Sequence, residues 1–352
     1  MNATLEKRNN APIPTSTSGK QGETVSATFV ICVEAGPLET QSLWAIESLR
    51  KWGGRFADCE VIAVTPRRGM PLQRETLKRF TEMAVKWISF SGSSKWTFYG
   101  PFNKPLALAA AEEISESEYM IWLDSDVFVV REPSEFILEE GIDFTAHPSS
   151  CHHDIGSTGS THEHDAYWVQ TLKGHGISPT TYPMIPTQPG EEGPMRMYWQ
   201  AGAFSYRRST QLGATFLQAT DQTMRLNLSS KYSGTYFHEQ IGLAVAVHRQ
   251  DARYRILNAS HNFAVNKLRF DEVDPQRLEN SCIIHYFGSA WPDGFDRLVA
   301  VIRQTRPDVA DWVAARGPLA DQRSFLVRGI SRLIRAHRKR RSLSYAEGCR
   351  VH

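Results

Sequence analysis

Short, unbroken apolar runs alternate with stretches of helical spacing along the first third of this chain. Residues 28–33 form a short run rich in β-branched and apolar side chains, which predicts a buried strand. Glu34, Ala35 and Gly36 follow as a turn. From Thr40 to Trp52 the apolar positions Leu43, Ile46, Leu49 and Trp52 recur at helical spacing, and Gly53-Gly54 stops the helix. A second buried strand is expected at Cys59 to Thr65, a helix at Arg74 to Met83 and a strand at Val85 to Phe90. A β-α-β-α-β series of this kind implies an α/β fold with a mostly parallel sheet flanked by helices. Asn103 stands where it can cap a helix from Lys104 to about Ser115, with Pro105 tolerated in the first turn. Tyr119 to Leu123 reads as another buried strand, and it stops abruptly at Asp124. Val127 to Val130 is a further short apolar run.

From about His147 to Tyr198 the pattern fails, and His, Gly, Pro, Ser and Thr dominate. So long an irregular stretch is usually functional or mobile. Its clusters Cys151-His-His-Asp154 and His162-Glu-His-Asp165 have the density of a zinc site but no i, i+4 helical spacing, so a second metal and a polar acceptor loop both stay open. Trp168, Tyr182, Tyr198 and Trp199 are of the type that stacks on sugars, or packs a loop. Regular structure resumes at Trp199 to Tyr206, with helices expected at Thr210 to Asn227 and His238 to His248 and a late strand at Ser281 to Phe287.

Composition narrows the class. With 41% hydrophobic and 22% charged residues in 352, the chain is globular and long enough for a large core. A net charge of +2 gives no reason to expect a nucleic-acid partner. The leader, residues 1–26, lacks an apolar signal region and reads as flexible, so the cytoplasm is the expected compartment. The five cysteines are scattered, which argues against a disulfide framework; Cys32 and Cys282 sit in apolar runs as buried thiols.

Two carboxylates one residue apart at the end of a buried strand call for a cation or for water. Asp124 and Asp126 repel one another unless a positive charge lies between them. Ligands of open α/β sheets bind beyond the carboxyl ends of the strands, where this pair stands.

Around this pair the sequence resembles the GT-A glycosyltransferases, in particular the glycogenin and lipopolysaccharide-galactosyltransferase family, over roughly residues 28–292. Trp122-Leu-Asp-Ser-Asp-Val127 is similar to the family's Asp-x-Asp, and Phe102-Asn-Lys-Pro-Leu106 to its helix start. Gln200-Ala-Gly-Ala-Phe204 resembles the strand beside the donor sugar, Glu239-Gln240 the Asp-Gln pair near the reacting carbon, and His285-Tyr-Phe-Gly288 the His-x-x-Gly. The resemblance implies a GT-A fold and a hexosyltransferase using a nucleotide sugar, by default UDP-linked, with Mn2+ or Mg2+. Asp124, Asp126 and His285 would hold the metal. Cys32, Val33, Glu34, Lys104, Asp124, Ser125, Gln200, Ala201, Gly202 and Gly288 would bind the donor, and Glu239 and Gln240 would serve catalysis. The acceptor would be a glycan or a lipid-linked hydroxyl in polysaccharide biosynthesis. If the enzyme inverts, Glu239 is the base; if it retains, Gln240 lies under the anomeric carbon. One departure stands out: the family places a diphosphate-binding Lys three residues after the Gly, where this chain has Trp291. Lys104, Lys267 or Arg297 would then supply the missing charge.

The last part of the chain is basic. Residues 323–341 hold eight Lys or Arg and no acid. Arg328, Arg332, Arg335 and Lys339 share one helical face, and Leu326, Ile330, Leu333 and Ile334 another. This pattern fits a helix lying on an anionic membrane surface, on the cytoplasmic side, or a packed terminal helix. The expected organisation is a leader (1–26), a catalytic unit (27–318, divided into a nucleotide half, 27–131, and an acceptor and metal half, 132–318), and a basic tail (319–352). Two other functions fit parts of the pattern. One is a haloacid-dehalogenase-type phosphatase with Asp124 as nucleophile; the other is a non-catalytic nucleotide-sugar or glycan-binding protein.

Overall fold

The apolar runs become strands because both of their faces are covered. In this computed structural model, which describes residues 25–90, 94–151, 154–187 and 193–352, strands β1 (Ala27–Cys32), β2 (Glu60–Thr65), β3 (Val85–Ser89) and β4 (Tyr119–Leu123) lie side by side in parallel. Val30, Ile62 and Trp122 turn to one side of the sheet; Phe29, Val61 and Ile121 turn to the other. That two-sided burial is why these segments read as continuous apolar runs and not as alternating ones.

The sequence had no clear signal for β6 (Phe144–Pro148), which follows the short β5 (Val127–Val129). Two two-residue strands, β7 (Met184–Ile185) and β8 (Met195–Arg196), pair with each other before β9 (Trp199–Arg207), β10 (Leu228–Ser229) and β11 (Tyr254–Ile256). The central sheet has the order β11-β6-β9-β4-β1-β2-β3. Only β9 runs against the rest, paired antiparallel with both β4 and β6. The mostly parallel α/β architecture expected from the sequence is therefore present. A smaller sheet joins β12 (Phe263–Ala264), β13 (Ile283–His285) and β5, so the late apolar run leaves the central sheet and crosses antiparallel to the segment just after Asp126.

Helices α1 (Pro37–Trp52) and α2 (Arg74–Glu82) cover one face of the sheet. The buried Glu39 carboxylate ties both starts together, accepting from Gly36 N (2.8 Å), Gln73 N (2.7 Å) and Thr76 Oγ1 (2.7 Å). The other face carries α3 (Asn103–Glu112), α5 (Leu212–Arg225) and α6 (His238–Arg249). Asn103 opens α3 but does not cap it: its side-chain amide donates to Glu34 Oε1 at 2.8 Å. The irregular stretch holds a helix after all, α4 (Asp165–Gly174), whose Tyr167, Trp168 and Leu172 are buried. The four aromatics considered for sugar stacking are core residues: Trp168, Tyr198 and Trp199 have no exposed surface and Tyr182 only 3%. After the short α7 (Pro275–Glu279), α8 (Phe295–Arg303) and α9 (Pro307–Ala314) pack on the smaller sheet.

The tail forms one long helix, α10 (Phe325–Glu347). It crosses the carboxyl ends of β1 and β2. Arg338 donates to Arg68 O (2.6 Å) and approaches Glu34 (3.5 Å), and Arg341 donates to Lys95 O (3.1 Å). Tyr345 packs against Trp96 and Phe98 and donates to Met224 O (2.6 Å), and the short strand β14 (Arg350–Val351) pairs with β10. Gly36 permits this crossing: it sits at φ +112°, and a Cβ there would lie 2.6 Å from Arg323 Nη2. Among the described residues no helix is long and apolar enough to cross a membrane.

Candidate functional site

Chain direction reverses between β1 and β4. From β1 the chain moves outward through β2 and β3, then returns over α3 to β4 on the other side of β1. The crevice at the carboxyl ends of such a strand pair is where an open α/β sheet binds its ligand. Asp124 leaves β4 there, with its backbone N–H donating to Gly202 O at 2.8 Å. Because β9 runs the opposite way, its beginning, Gln200 to Gly202, meets the end of β4 at the same rim.

Asp124, Asp126 and His285 converge so that one ligand atom from each lies within 4.8 Å of the others; this is the one group among the described residues with the spacing to hold a metal ion. Crossing of β13 over β5 sets this up, since His285 pairs with Val127 in register. His285 Nε2 lies 3.1 Å from Asp126 Oδ1, while its Nδ1 faces Asn262 Oδ1 at 3.0 Å. Asn262 in turn donates to Gln200 Oε1 at 2.8 Å. Phe287 stacks on the imidazole with centroids 3.9 Å apart. Gly202 makes the approach possible: a Cβ there would stand 2.9 Å from His285 Nδ1 and 3.1 Å from Asn262 Nδ2. Burial alone would pull the imidazolium's pKa down, but the Asp126 carboxylate outweighs it and holds it above the usual value. Burial likewise favours the neutral form of Asp126, and His285 overcomes it, leaving that carboxyl below its usual range.

Lys104 forms the second knot. Its ammonium lies 2.8 Å from Glu239 Oε1 and 3.1 Å from Asp124 Oδ1, and donates to Ala201 O. Burial would favour the neutral amine; the two carboxylates reverse this and raise its pKa. Trp122 Nε1 donates to the same Asp124 oxygen at 2.8 Å. Glu239 begins α6 and is 4% exposed; burial raises its pKa, with Lys104 pulling the other way. Gln240 is its neighbour at the cavity wall, 3.5 Å from Ser149 Oγ.

These groups line a cavity of about 510 Å³, which also takes in Cys32, Asp154 and Tyr236. A second cavity, of about 520 Å³, adjoins it and shares Leu38, Arg67 and Gly100. Glu34 lines the second one. Burial would raise its pKa, but the Arg67 guanidinium, bonded to both carboxylate oxygens, holds it below the usual range.

Most residues singled out in the sequence therefore come together. Val33 and Gly288 do not: Val33 is wholly buried, with its N–H donating to Val64 O, and neither residue lines either of these two cavities. Ser125, only 9% exposed, is covered beneath the pair it separates. Lys267 and Arg297 pair instead with Asp293 and Asp271, outside both cavities. Of the first His-rich cluster, His152 and His153 lie outside the described residues; of the second, Asp165 is buried in an ion pair with Arg196 at 2.7 Å. Sequence reasoning missed Asn262, Arg67 and Tyr236, which no motif or periodicity marks and only the fold brings to the rim; Phe287 lies within the His285-to-Gly288 motif but was given no role.

No curated protein matches the sequence. Among solved structures, similarity is seen with the bifunctional glycosyltransferase WbbM in its apo form, at 10% identity and TM-score 0.44, covering 85% of this chain and 53% of that one. GlyE, a glycosyltransferase of Streptococcus pneumoniae TIGR4, shows 13% identity and TM-score 0.45 over 85% of this chain and 66% of its own. The chain thus spans about half of the first and just under two thirds of the second. The galactosyltransferase LgtC, solved with donor and acceptor sugar analogues, shows 10% identity and TM-score 0.41 over 79% of this chain and 96% of its own. The family model for the Rhodobacterales glycosyltransferase domain matches residues 29–251, from β1 to just beyond α6, and so includes the Asp124–Asp126 pair, the start of β9 and Glu239: the chain belongs to that glycosyltransferase family.

Proposed function

We propose that this chain transfers a sugar from a nucleotide-diphosphate donor, a UDP-sugar in the first instance, to a glycan or lipid-linked hydroxyl, assisted by a divalent metal. The observation that carries this reading is the convergence of two carboxylates and one imidazole at the reversal point of the sheet, on a cavity that shares lining residues with a cation-lined one. Oxygen and imidazole donors suit manganese or magnesium. The surroundings fit such an ion: Asn262 faces Nδ1 of His285, leaving Nε2 toward the carboxylates, and Gly202 clears the space beside the ring. When bound, the ion offsets the charge that grows on the departing diphosphate.

The chain's own residues supply the rest. Lys104 orients Asp124 and Glu239 together. Gln200 and Ala201 offer polar groups at the wall of the same cavity, where the donor sugar would lie. Glu239 can accept a hydrogen bond or a proton from the acceptor hydroxyl, whereas Gln240 can only hydrogen-bond. On this reading residues 27–131 form the nucleotide half, 132–318 the acceptor and metal half, and 319–352 a basic tail. A phosphatase using Asp124 as nucleophile draws no support. The Oδ1 of that carboxylate is already engaged by Trp122 and Lys104, and of the two later acids such a phosphatase could use, Asp293 pairs with Lys267 and neither it nor Asp296 lines the cavities.

Thermal melting in a panel of nucleotide sugars, with and without manganese, tests the reading. A cognate donor at about 100 times its Kd should add roughly 2.7 kcal/mol to stability, a shift of several degrees, and only with the metal present. If no nucleotide sugar raised the Tm with manganese, the donor assignment would fall. Binding with no product across a broad acceptor panel would instead identify a non-catalytic module.

We further propose a cytoplasmic location with peripheral attachment to the inner face of the membrane through α10. Supporting this, Phe325, Leu326 and Leu333 are 74%, 76% and 72% exposed, flanked by Arg328 and Arg332. An apolar stripe bordered by cations suits an anionic interface. Leu326→Ser/Leu333→Ser should reduce cosedimentation with phosphatidylglycerol vesicles at least about 10-fold, since each fully buried leucine contributes on the order of 1.5–3 kcal/mol. Equal sedimentation of variant and parent protein would remove the membrane from the proposal.

A further inference from the structure

The cavity beyond Arg67 has an unusual wall. One side is the turn after β1, including Glu34 and Pro37; the other is α10. Five cations, Arg67, Arg323, Arg335, Arg338 and Lys339, line it against a single carboxylate, Glu34. That carboxylate is already held by Arg67 and Asn103, with Arg338 at 3.5 Å. Among the described residues no carboxylate pairs with Arg335 or Lys339. One of the five, Arg323, is neutralised by Asp321 through two bonds of 2.7 Å. Clustered like charges around one concavity raise its potential by an amount that an anion of matching size relieves. Trp291, at the position where a cation was sought, lines the same wall and brings none.

Helix α10 is held in place there. Besides the contacts of Arg338 and Arg341, Arg323 Nη1 donates to the buried Ser331 at 2.9 Å, and Ser324 caps the first turn. Its residues divide by direction: Ser331, Ile334, Arg335, Arg338, Lys339 and Ser342 line the cavity and Arg332 and Arg340 do not, although Arg335 and Lys339 are exposed like those two.

We infer that α10 is a wall of the donor site, and that Arg335 and Lys339, with Arg67 and Arg338, bind the phosphates of a nucleoside diphosphate spanning the two cavities. This rests on the nucleotide-sugar reading above and adds residues that the glycosyltransferase motifs do not contain; it leaves Arg328 and Arg332 to face a lipid surface. Guanidinium and ammonium groups bind phosphate oxygens by charge-assisted hydrogen bonds, stronger than neutral ones. The nucleoside itself would lie deeper, between the β1 turn and Ile334.

Isothermal titration of the full chain with UDP, GDP, ADP and CDP in the presence of manganese tests this, using two charge-matched variants. Arg335→Gln/Lys339→Gln should weaken binding of the preferred diphosphate at least 10-fold and flatten its salt dependence. Arg332→Gln/Arg340→Gln, on the same helix with the same loss of charge, should bind like the parent. The free nucleoside should bind the parent and both variants alike. Equal weakening by both variants would mean long-range charge and no contact, and unchanged binding by the first would exclude α10 from the site; either overturns the inference while the donor reading stands. Loss of vesicle binding with intact nucleotide binding would give these two residues to lipid headgroups instead. If the parent protein binds no diphosphate, the nucleotide-sugar reading fails, and this inference with it.

Discussion

Asp126→Asn is expected to abolish manganese-dependent nucleotide binding and leave the fold intact. The side chain stands at the rim, 27% exposed, and its loop is fixed by the main chain, with Asp126 O accepting from Tyr286 N at 3.0 Å. Asparagine keeps that shape and removes the charge. A neutral amide oxygen is a poor substitute for a carboxylate on a hard cation. Groups that merely orient metal ligands are typically worth 10- to 100-fold in affinity, so losing a ligand's charge should exceed about 100-fold. Circular dichroism should match the parent's, and titration with manganese followed by UDP should show neither event. Retained manganese-dependent binding would take Asp126 out of the metal set. His285→Ala should weaken the metal as well, and an unchanged affinity would return that histidine to a packing role.

Glu239→Gln should lower turnover by about 100-fold or more with metal and nucleotide binding preserved. The carboxylate opens α6 into the cavity wall and is not part of the Asp-His group. It shares Lys104 with Asp124, so after the substitution the ammonium still has one carboxylate to hold. What is lost is the capacity to take a proton or a charged hydrogen bond from an acceptor hydroxyl, a contribution typically of 10²- to 10⁴-fold. A fall in kcat identifies a base, whereas a rise confined to the acceptor KM identifies a positioning group. Normal kinetics with slightly lower stability would reduce Glu239 to a favourable charge at a helix start, under about 1 kcal/mol. The anomeric configuration of the product, read by NMR, separates inversion from retention without any variant.

The β-α-β series was legible because parallel strands covered on both faces leave unbroken apolar runs, and Asp124 was legible because such a run stops at it. Strand β6 was not: Phe144-Thr-Ala-His-Pro148 mixes polar and apolar residues although all five are buried. Helix α4 hid among flanking His and Gly residues. Buried Tyr198 and Trp199 show why aromatic residues in an irregular stretch do not identify a sugar platform; they were needed to fill the core. The Asp-x-Asp and the histidine had motif signals, but Asn262 acts through proximity that local sequence does not encode. The tail read correctly as a basic amphipathic helix. The two faces read from periodicity are cut across by the packing, which puts Ile334 at the cavity with Arg335 and Lys339 and leaves Arg332 away from it.

With β9 reversed, the metal-binding candidates, Lys104 and Glu239 lie at one rim of the sheet, and the opposite rim carries none of them. There Arg207 fastens the strand ends, bonded to Glu118 and to the carbonyls of Leu138, Glu139 and Ile142. Glu116 and Glu140 are exposed on that side. The native thiols are quiet: four of the five cysteines are buried, and burial pushes the pKa of the fifth, half-buried Cys32, well up. A single cysteine introduced at Glu140 would therefore be the preferred point for a dye or a sensor surface. It would leave both cavities and the exposed stripe of α10 turned toward solution.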